Sequence, residues 1–212
     1  AFQNRYWPAH YFIDAKGRIR HHHFGEGGHA ESERVIQQLL AEAGSGRGLS
    51  GMVRVSASGA EAARGEDVKS RETYVGYGRA ERFIGKPALV HDKAQNYAGH
   101  PRMLNAWSLN GHWLVGKQHA TTEAANARIA YRFHARDLHL VLGSANGKPV
   151  RFRIFIDGKQ PGADHGIDVD AQGYGMINGQ RLYQLVRQKD GSKERLFEME
   201  FGRKPASGLE LL

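Results

Sequence analysis

The chain has 212 residues, a formal charge of +8, twelve His and no Cys. With no thiol, disulfide staples, Cys-ligated zinc, iron–sulfur clusters and cysteine nucleophiles are excluded, so any metal site must use His and carboxylates. Its 27 Gly and 6 Pro exceed the average share without reaching the disordered range, which points to turn-rich β structure, and no apolar run approaches the roughly 20 residues of a membrane span.

Residues 1 to 46 read as a hairpin followed by a helix. Ala1 to Pro8 has neither the basic n-region nor the apolar h-region of a signal peptide, so a mature or trimmed chain is expected. His10 to Asp14 is a strand of aromatic and β-branched residues, Asp14-Ala15-Lys16-Gly17 supplies a turn, and Arg18 to Phe24 is the return strand. Gly25-Glu26-Gly27-Gly28 breaks the strand. Glu31 to Ala43 then places Val35, Ile36, Leu39, Leu40 and Ala43 at helical spacing, with acidic residues in the first turn and Gly44 just past the end. Two strands and one helix bury too little apolar surface to stand alone, so this β-β-α unit needs a partner.

Residues 47 to 71 are small, polar and poor in aromatics. They read as a linker, with a weak strand at Met52 to Val55. From residue 72 to 212 the pattern changes to short strands separated by turn signals. Trp107 to Leu109, Trp113 to Val115, Arg128 to His134, Asp137 to Leu142, Val150 to Asp157, Leu182 to Arg187 and Arg195 to Phe201 are the strands. Asn110-Gly111, Asn146-Gly147, Asp157-Gly158, Asn178-Gly179 and Asp190-Gly191 are the turns. Recurrent strands without helices between them describe an antiparallel β-sandwich of two packed sheets. The alternation puts Val150, Phe152, Ile154 and Ile156 on one face and Arg151, Arg153, Phe155 and Asp157 on the other.

Two stretches resemble a known family. Asn4-Arg5-Tyr6-Trp7-Pro8-Ala9-His10-Tyr11-Phe12-Ile13-Asp14-Ala15-Lys16-Gly17-Arg18-Ile19 resembles the second half of a thioredoxin-like domain of the redoxin type. Glu72-Thr73-Tyr74-Val75-Gly76-Tyr77-Gly78-Arg79-Ala80-Glu81-Arg82-Phe83, with the Trp107 to Trp113 and Ile129 to Leu138 segments, resembles the C-terminal domain of DipZ-type proteins. These are membrane-tethered cytochrome c biogenesis and thiol–disulfide proteins, whose exported part joins a thioredoxin-like domain to a jelly-roll sandwich resembling a carbohydrate-binding module.

The resemblance implies a periplasmic or otherwise extracytoplasmic location. It also implies a cis Trp7–Pro8 bond, with Trp7 and Pro8 the relic of a substrate groove. The Cys-x-x-Cys half that would precede this hairpin in the family is missing here. Without a thiolate the chain cannot exchange disulfides, so a fragment is expected, the missing half being supplied in cis or in trans.

The candidate sites follow from residue chemistry. Sugar recognition needs flat aromatic faces and hydrogen-bonding side chains, and the available pool is Trp107, Asn110, His112, Trp113, Arg132, Asp157, Tyr174, Arg181 and Tyr183. His21 and His23 share a strand face and are weak metal candidates, with Glu26 or His29 as a third ligand, but no helical His spacing supports them. Asp164, Asp168 and Asp170 read as a polar loop, since the run lacks the terminal bidentate Glu of an EF-hand. The outward cations Arg132, Arg151 and Arg153 raise anionic partners, but Lys and Arg are spread along the chain and no nucleic-acid motif is present.

The expectation is therefore a mainly β chain: an antiparallel β-sandwich at 72–212, preceded by a partial thioredoxin-like unit at 1–46 and a linker at 47–71. It has no catalytic residue, no cofactor, no metal and no nucleic-acid partner. The sandwich is expected to act as a binding or accessory module for carbohydrate, with a protein-interaction or structural role as the alternative. Self-association through residues 1–46 is expected as a way to cover the orphan unit.

Overall fold

The computed structural model describes residues 8–24, 27–45, 51–53, 67–202 and 209–211. The chain divides into two compact units, Ala1–Gly65 and Glu66–Leu212.

In the first unit β1 (Ala9–Ile13) pairs antiparallel with β2 (Ile19–Phe24), with Tyr11 opposite His22 and Phe12 opposite His21. The turn is organised by Asp14, whose Oδ1 accepts from the backbone amides of Lys16 and Arg18, both at 2.9 Å. Gly17 takes the left-handed φ of 78° that closes it. Helix α1 (His29–Glu42) begins two residues earlier than the apolar spacing suggests, entering from a left-handed Gly28 with no side-chain cap. It ends in a Schellman arrangement: Gly44 N donates to Ala41 O and Ser45 N to Leu40 O. Arg20 ties β2 to α1 through Glu42, Nη1–Oε2 2.6 Å.

No residue of α1 is fully buried. Residues 51–53, expected to open the linker, are held to the helix: Val53 N donates to the Glu33 carboxylate at 2.9 Å and Gln37 Nε2 donates to Gly51 O at 2.9 Å.

The second unit is a mainly β sandwich, and the strand that organises it is β4 (Trp107–Val115). Its first half, residues 107–110, pairs with β6 (Arg128–Ala135), while Leu114 and Val115 pair with β5 (Ala120–Thr122). One sheet therefore continues from β4 through β6 and β11 (Lys193–Phe201) to β8 (Val150–Ile156) and β9 (Tyr174–Ile177). The other continues from β4 through β5 and β12 (Leu209–Leu211) to β7 (Asp137–Ser144) and β10 (Arg181–Arg187). A short β3 (Gln95–Tyr97) pairs with residues 111–113 of β4.

The turn expected at Asn110-Gly111 is instead the interior of β4, which corrects the reading of two separate strands there. Gly111 has φ 89°, which bends the strand from one sheet into the other without ending it. The bend is pinned on both sides. Asn110 Nδ2 and Oδ1 pair with the backbone of Gly99, each at 3.0 Å, and Trp113 Nε1 donates to Asn110 O at 2.9 Å. By contrast Asp157-Gly158 is a true hairpin turn. Both residues have positive φ, and Ile156 and Lys159 exchange backbone hydrogen bonds across it.

The inner faces meet as the alternation requires. Val150, Phe152, Ile154 and Ile156 of β8 and Phe197, Met199 and Phe201 of β11 are buried with Leu109, Phe133, Leu142, Ile177 and Leu185 in one core. Gln188 is a buried polar residue beside it: its Nε2 donates to Ala135 O at 2.7 Å and Lys193 O at 3.0 Å, so its amide is satisfied where β6 and β11 meet.

Candidate functional site

The two candidate regions lie in different units and are built by different elements. In the first unit an open groove of about 550 Å³ runs between β1 and α1, its walls including His10, Phe12, His29, Ser32, Glu33 and Ile36. Pro8 stands immediately before β1, while the Trp7–Pro8 bond lies outside the described residues. The histidines of the hairpin are packed on aromatic neighbours. His21 lies over Phe12 with ring centres 5.5 Å apart, and His23 stacks on His10 at 6.2 Å. The His23 Nε2 is buried and without a hydrogen-bond partner. Among the described residues no three His, Asp or Glu side chains stand close enough to hold one metal ion.

In the sandwich the aromatic pool is largely sequestered. Trp107, Trp113 and Tyr183 are each 1 % exposed or less. Their polar atoms are spent internally: Trp107 Nε1 on Glu81 O at 2.8 Å, Trp113 Nε1 on Asn110 O at 2.9 Å, and the Tyr183 hydroxyl on Gly179 O at 2.8 Å. These three cannot form a sugar platform, because a ring enclosed by two sheets offers no face to a ligand. The alternation could not reveal this, since a Trp on a strand reads the same way whether its face is inner or outer.

The polar members of the pool are structural in the same sense. Arg132 Nε donates to Pro101 O at 3.2 Å and its Nη1 pairs with Glu194 at 3.5 Å. Asp157 receives Arg195 Nε at 2.5 Å and the Leu196 amide at 2.8 Å. Arg181 lies over the Tyr183 ring, 3.7 Å from its centre, and pairs with Asp168. His112 is exposed on β4 opposite Asn96. Asn110 is committed to Gly99, and these side chains are spread over both sheets without converging.

The acidic loop behaves as a turn scaffold. Asp170 Oδ1 accepts from the amides of Gln172 at 3.0 Å and Tyr174 at 2.8 Å, and Asp164 Oδ1 accepts from Lys189 N at 3.0 Å. Burial alone would raise the Asp168 pKa. The hydrogen bonds from Arg181 and the Gln184 amide outweigh it and hold the carboxyl below the ordinary carboxylate value.

Tyr174 is the member of the pool with a different environment. It is half-buried on the outer face of β9, and the guanidinium groups of Arg151 and Arg153 each lie 4.6 Å from its ring centre. Arg153 stands directly across from it in the β8–β9 ladder. Sequence reasoning named these three residues separately. Their conjunction depends on β9, a strand of four residues too short for the alternation to mark.

The second unit is thus a mainly β sandwich that follows a short β-β-α unit in a chain without cysteine. Residues 70–210 match the family described as Thioredoxin like C-terminal domain, and the chain belongs to that family. It is 33% identical over 162 residues to Protein DipZ of Mycobacterium bovis (strain ATCC BAA-935 / AF2122/97) and to Protein DipZ of Mycobacterium tuberculosis (strain CDC 1551 / Oshkosh). The match covers 72% of this chain but 23% of each of those relatives.

Proposed function

We propose that the chain is the C-terminal part of an extracytoplasmic thiol–disulfide protein of the cytochrome c biogenesis type, in which the sandwich is a non-catalytic binding or accessory module. The likeness to DipZ carries the parent reading, and the absence of cysteine supports its non-catalytic part: disulfide exchange proceeds by thiolate attack, and none of the 212 residues can supply a thiolate. Residues 1–46 are completed by a thioredoxin half, in the same polypeptide or in another chain. The exposure of Ile13, Ile19, Phe24, Ile36 and Leu40, apolar residues that a completed domain would cover, supports this. A second copy of the chain is the other way to cover them.

Two readings of the sandwich compete. Carbohydrate binding is supported by the family resemblance and by the surface position of Tyr174. A protein-interaction or structural role is favoured by the burial of Trp107, Trp113 and Tyr183. Calorimetric titration of the chain with a panel of neutral and acidic oligosaccharides tests the choice. Saturable binding below the millimolar range supports the glycan reading, and silence across the panel leaves the protein-interaction role. Insulin-disulfide reduction by the chain above the buffer rate would overturn the non-catalytic assignment.

A further inference from the structure

We infer that the outer face of β8 and β9 is an oxyanion-binding site, built from Arg151, Arg153 and Tyr174, that takes an acidic polysaccharide bearing uronic carboxylates. The inference deepens the reading of the sandwich as a binding module and rests on it.

The geometry starts from the strand period. Residues two apart on a strand share a face and stand about 6 to 7 Å apart, so Arg151 and Arg153 rise side by side from β8. Both guanidinium groups lie against the Tyr174 ring, each 4.6 Å from its centre. Their central carbons are thus no more than twice that distance from each other. Arg153 is fixed further by Phe155, whose ring centre is 4.9 Å away, and by its Nε, which donates to Gln172 O at 3.1 Å. The aromatic rings hold the cations in place through their quadrupoles, and little side-chain freedom remains to be lost on binding.

Among the described residues neither cation is neutralised. Glu200, directly across β8–β11 from Arg153, is turned to Arg128 at 2.5 Å. Glu198 lies beside Phe155 in the ladder and makes no ion pair with Arg151 or Arg153. Among the described residues no carboxylate comes within salt-bridge distance of either guanidinium. This contrasts with Arg132, Arg136, Arg181, Arg187 and Arg195, all of which are paired. Two like charges held close together repel, and the arrangement is relieved by a ligand that brings two negative charges, for which the planar guanidinium fork is suited.

Three observations select the class of polymer. The site lies on the outer face of a sheet, where repetition of charge along an extended chain supplies the contact. A single-stranded nucleic acid needs free aromatic faces on which to stack bases, and here the Tyr174 and Phe155 rings are already engaged by the arginines. An acidic peptide can offer carboxylates to the same arginines, but the further affinity of adding a strand at the β9 edge is closed to it. That edge is occupied by the protein's own loop: Asp170 N donates to Tyr174 O at 2.9 Å, Tyr174 N donates to Asp170 Oδ1 at 2.8 Å, and Val169 bridges to Gly175. A polyuronate loses nothing by that closure, because its carboxylates make the whole contact.

The test is affinity electrophoresis and calorimetry of the 212-residue chain with polygalacturonate, using dextran as the neutral control. Saturable binding to polygalacturonate is expected, weakened at least tenfold in Arg151→Ala/Arg153→Ala. Lys93→Ala/Lys148→Ala, which removes the same charge from other exposed positions, is expected to bind as the parent does. If that control weakens binding equally, or the arginine variant binds normally, the site is overturned. Should the alanine pair fail to melt cooperatively, Arg151→Lys/Arg153→Lys carries the test. It keeps the charge and loses the fork, so at least threefold weakening is expected, and undiminished binding overturns the guanidinium site. Polyglutamate or single-stranded DNA bound as tightly as polygalacturonate overturns the glycan as occupant. Neutral glycan binding that ignores both arginines overturns this site while the glycan reading stands, and failure of every glycan, acidic or neutral, overturns both this site and the glycan reading and leaves the protein-interaction role.

Discussion

Asp168, in the loop before β9, and Arg181, at the start of β10, face each other in a two-point pair: Nη2–Oδ1 is 2.6 Å and Nη1–Oδ2 is 3.2 Å. The Gln184 amide adds a third bond to Oδ2 at 2.8 Å. The pair clamps a polar loop to the edge of a sheet, and with the Gln184 amide it fills both oxygens of Asp168.

Replacing Asp168 with Asn is expected to cost about 1–3 kcal/mol, the range for charged hydrogen bonds and the groups left behind when one partner goes. The pH dependence has a definite sign. The folded carboxyl has a pKa below the ordinary 3.8. Its contribution is therefore fully present above that value and is lost as pH falls through the lower, folded one. Urea midpoints at neutral pH and at successive points below 3.8 will show the gap between parent and Asp168→Asn closing as the solution is acidified.

Gly111→Ala tests the bend in β4. The left-handed φ of 89° disfavours any side chain, and a Cβ there would stand 3.3 Å from Ala127 Cα. A loss of about 1–3 kcal/mol is expected. It is to be read as a lower urea midpoint with an unchanged slope, since one residue's strain leaves the exposed area of unfolding as it was.

The two core tryptophans give a stability test and an optical one. Trp113→Ala is expected to cost about 3–5 kcal/mol, as large core truncations do. In a Trp7→Phe chain the emission comes only from Trp107 and Trp113, the chain having three tryptophans. Acrylamide will quench it weakly until the protein is unfolded, because both indoles are enclosed. Strong quenching in the folded state would contradict their burial.

In the hairpin, the backbone hydrogen bond from Arg18 leads the causes that bring the Asp14 pKa down to about 2, with the Arg18 side chain and the Lys16 amide assisting against desolvation. Carbon-13 NMR of the Asp14 carboxyl is expected to give a midpoint near that value. A midpoint near the ordinary 3.8 would mean the turn does not hold in solution.

Much of this architecture was legible in the chain. The period-two run of β8 identified its buried face, because two residues per repeat is a property of any strand. Asp14-Ala15-Lys16-Gly17 marked a turn because its chemistry is local. The Asn110-Gly111 step was misread for an instructive reason: the same dipeptide that closes a hairpin also permits a bend inside a strand. Which of the two forms depends on whether β5 and β6 are there to pair with the two halves. Strands β3, β5, β9 and β12 run three or four residues each, too short for a period to show, and they exist because longer neighbours offer them hydrogen bonds.

The sequence alone determined that this chain holds no thiol, that its second part is an antiparallel sandwich, and that it belongs to the family described as Thioredoxin like C-terminal domain. Composition, alternation and motif are carried by residues one at a time or in close succession. The tertiary structure alone decided which aromatic rings are core and which are surface, and which arginines find carboxylates. It removed Trp107, Trp113 and Tyr183 from the surface and set Arg151 and Arg153 on Tyr174 with no acidic partner among the described residues. Those outcomes depend on pairing between strands distant in the chain, where the burial of a ring and the neutralisation of a charge are settled by neighbours that no local pattern names.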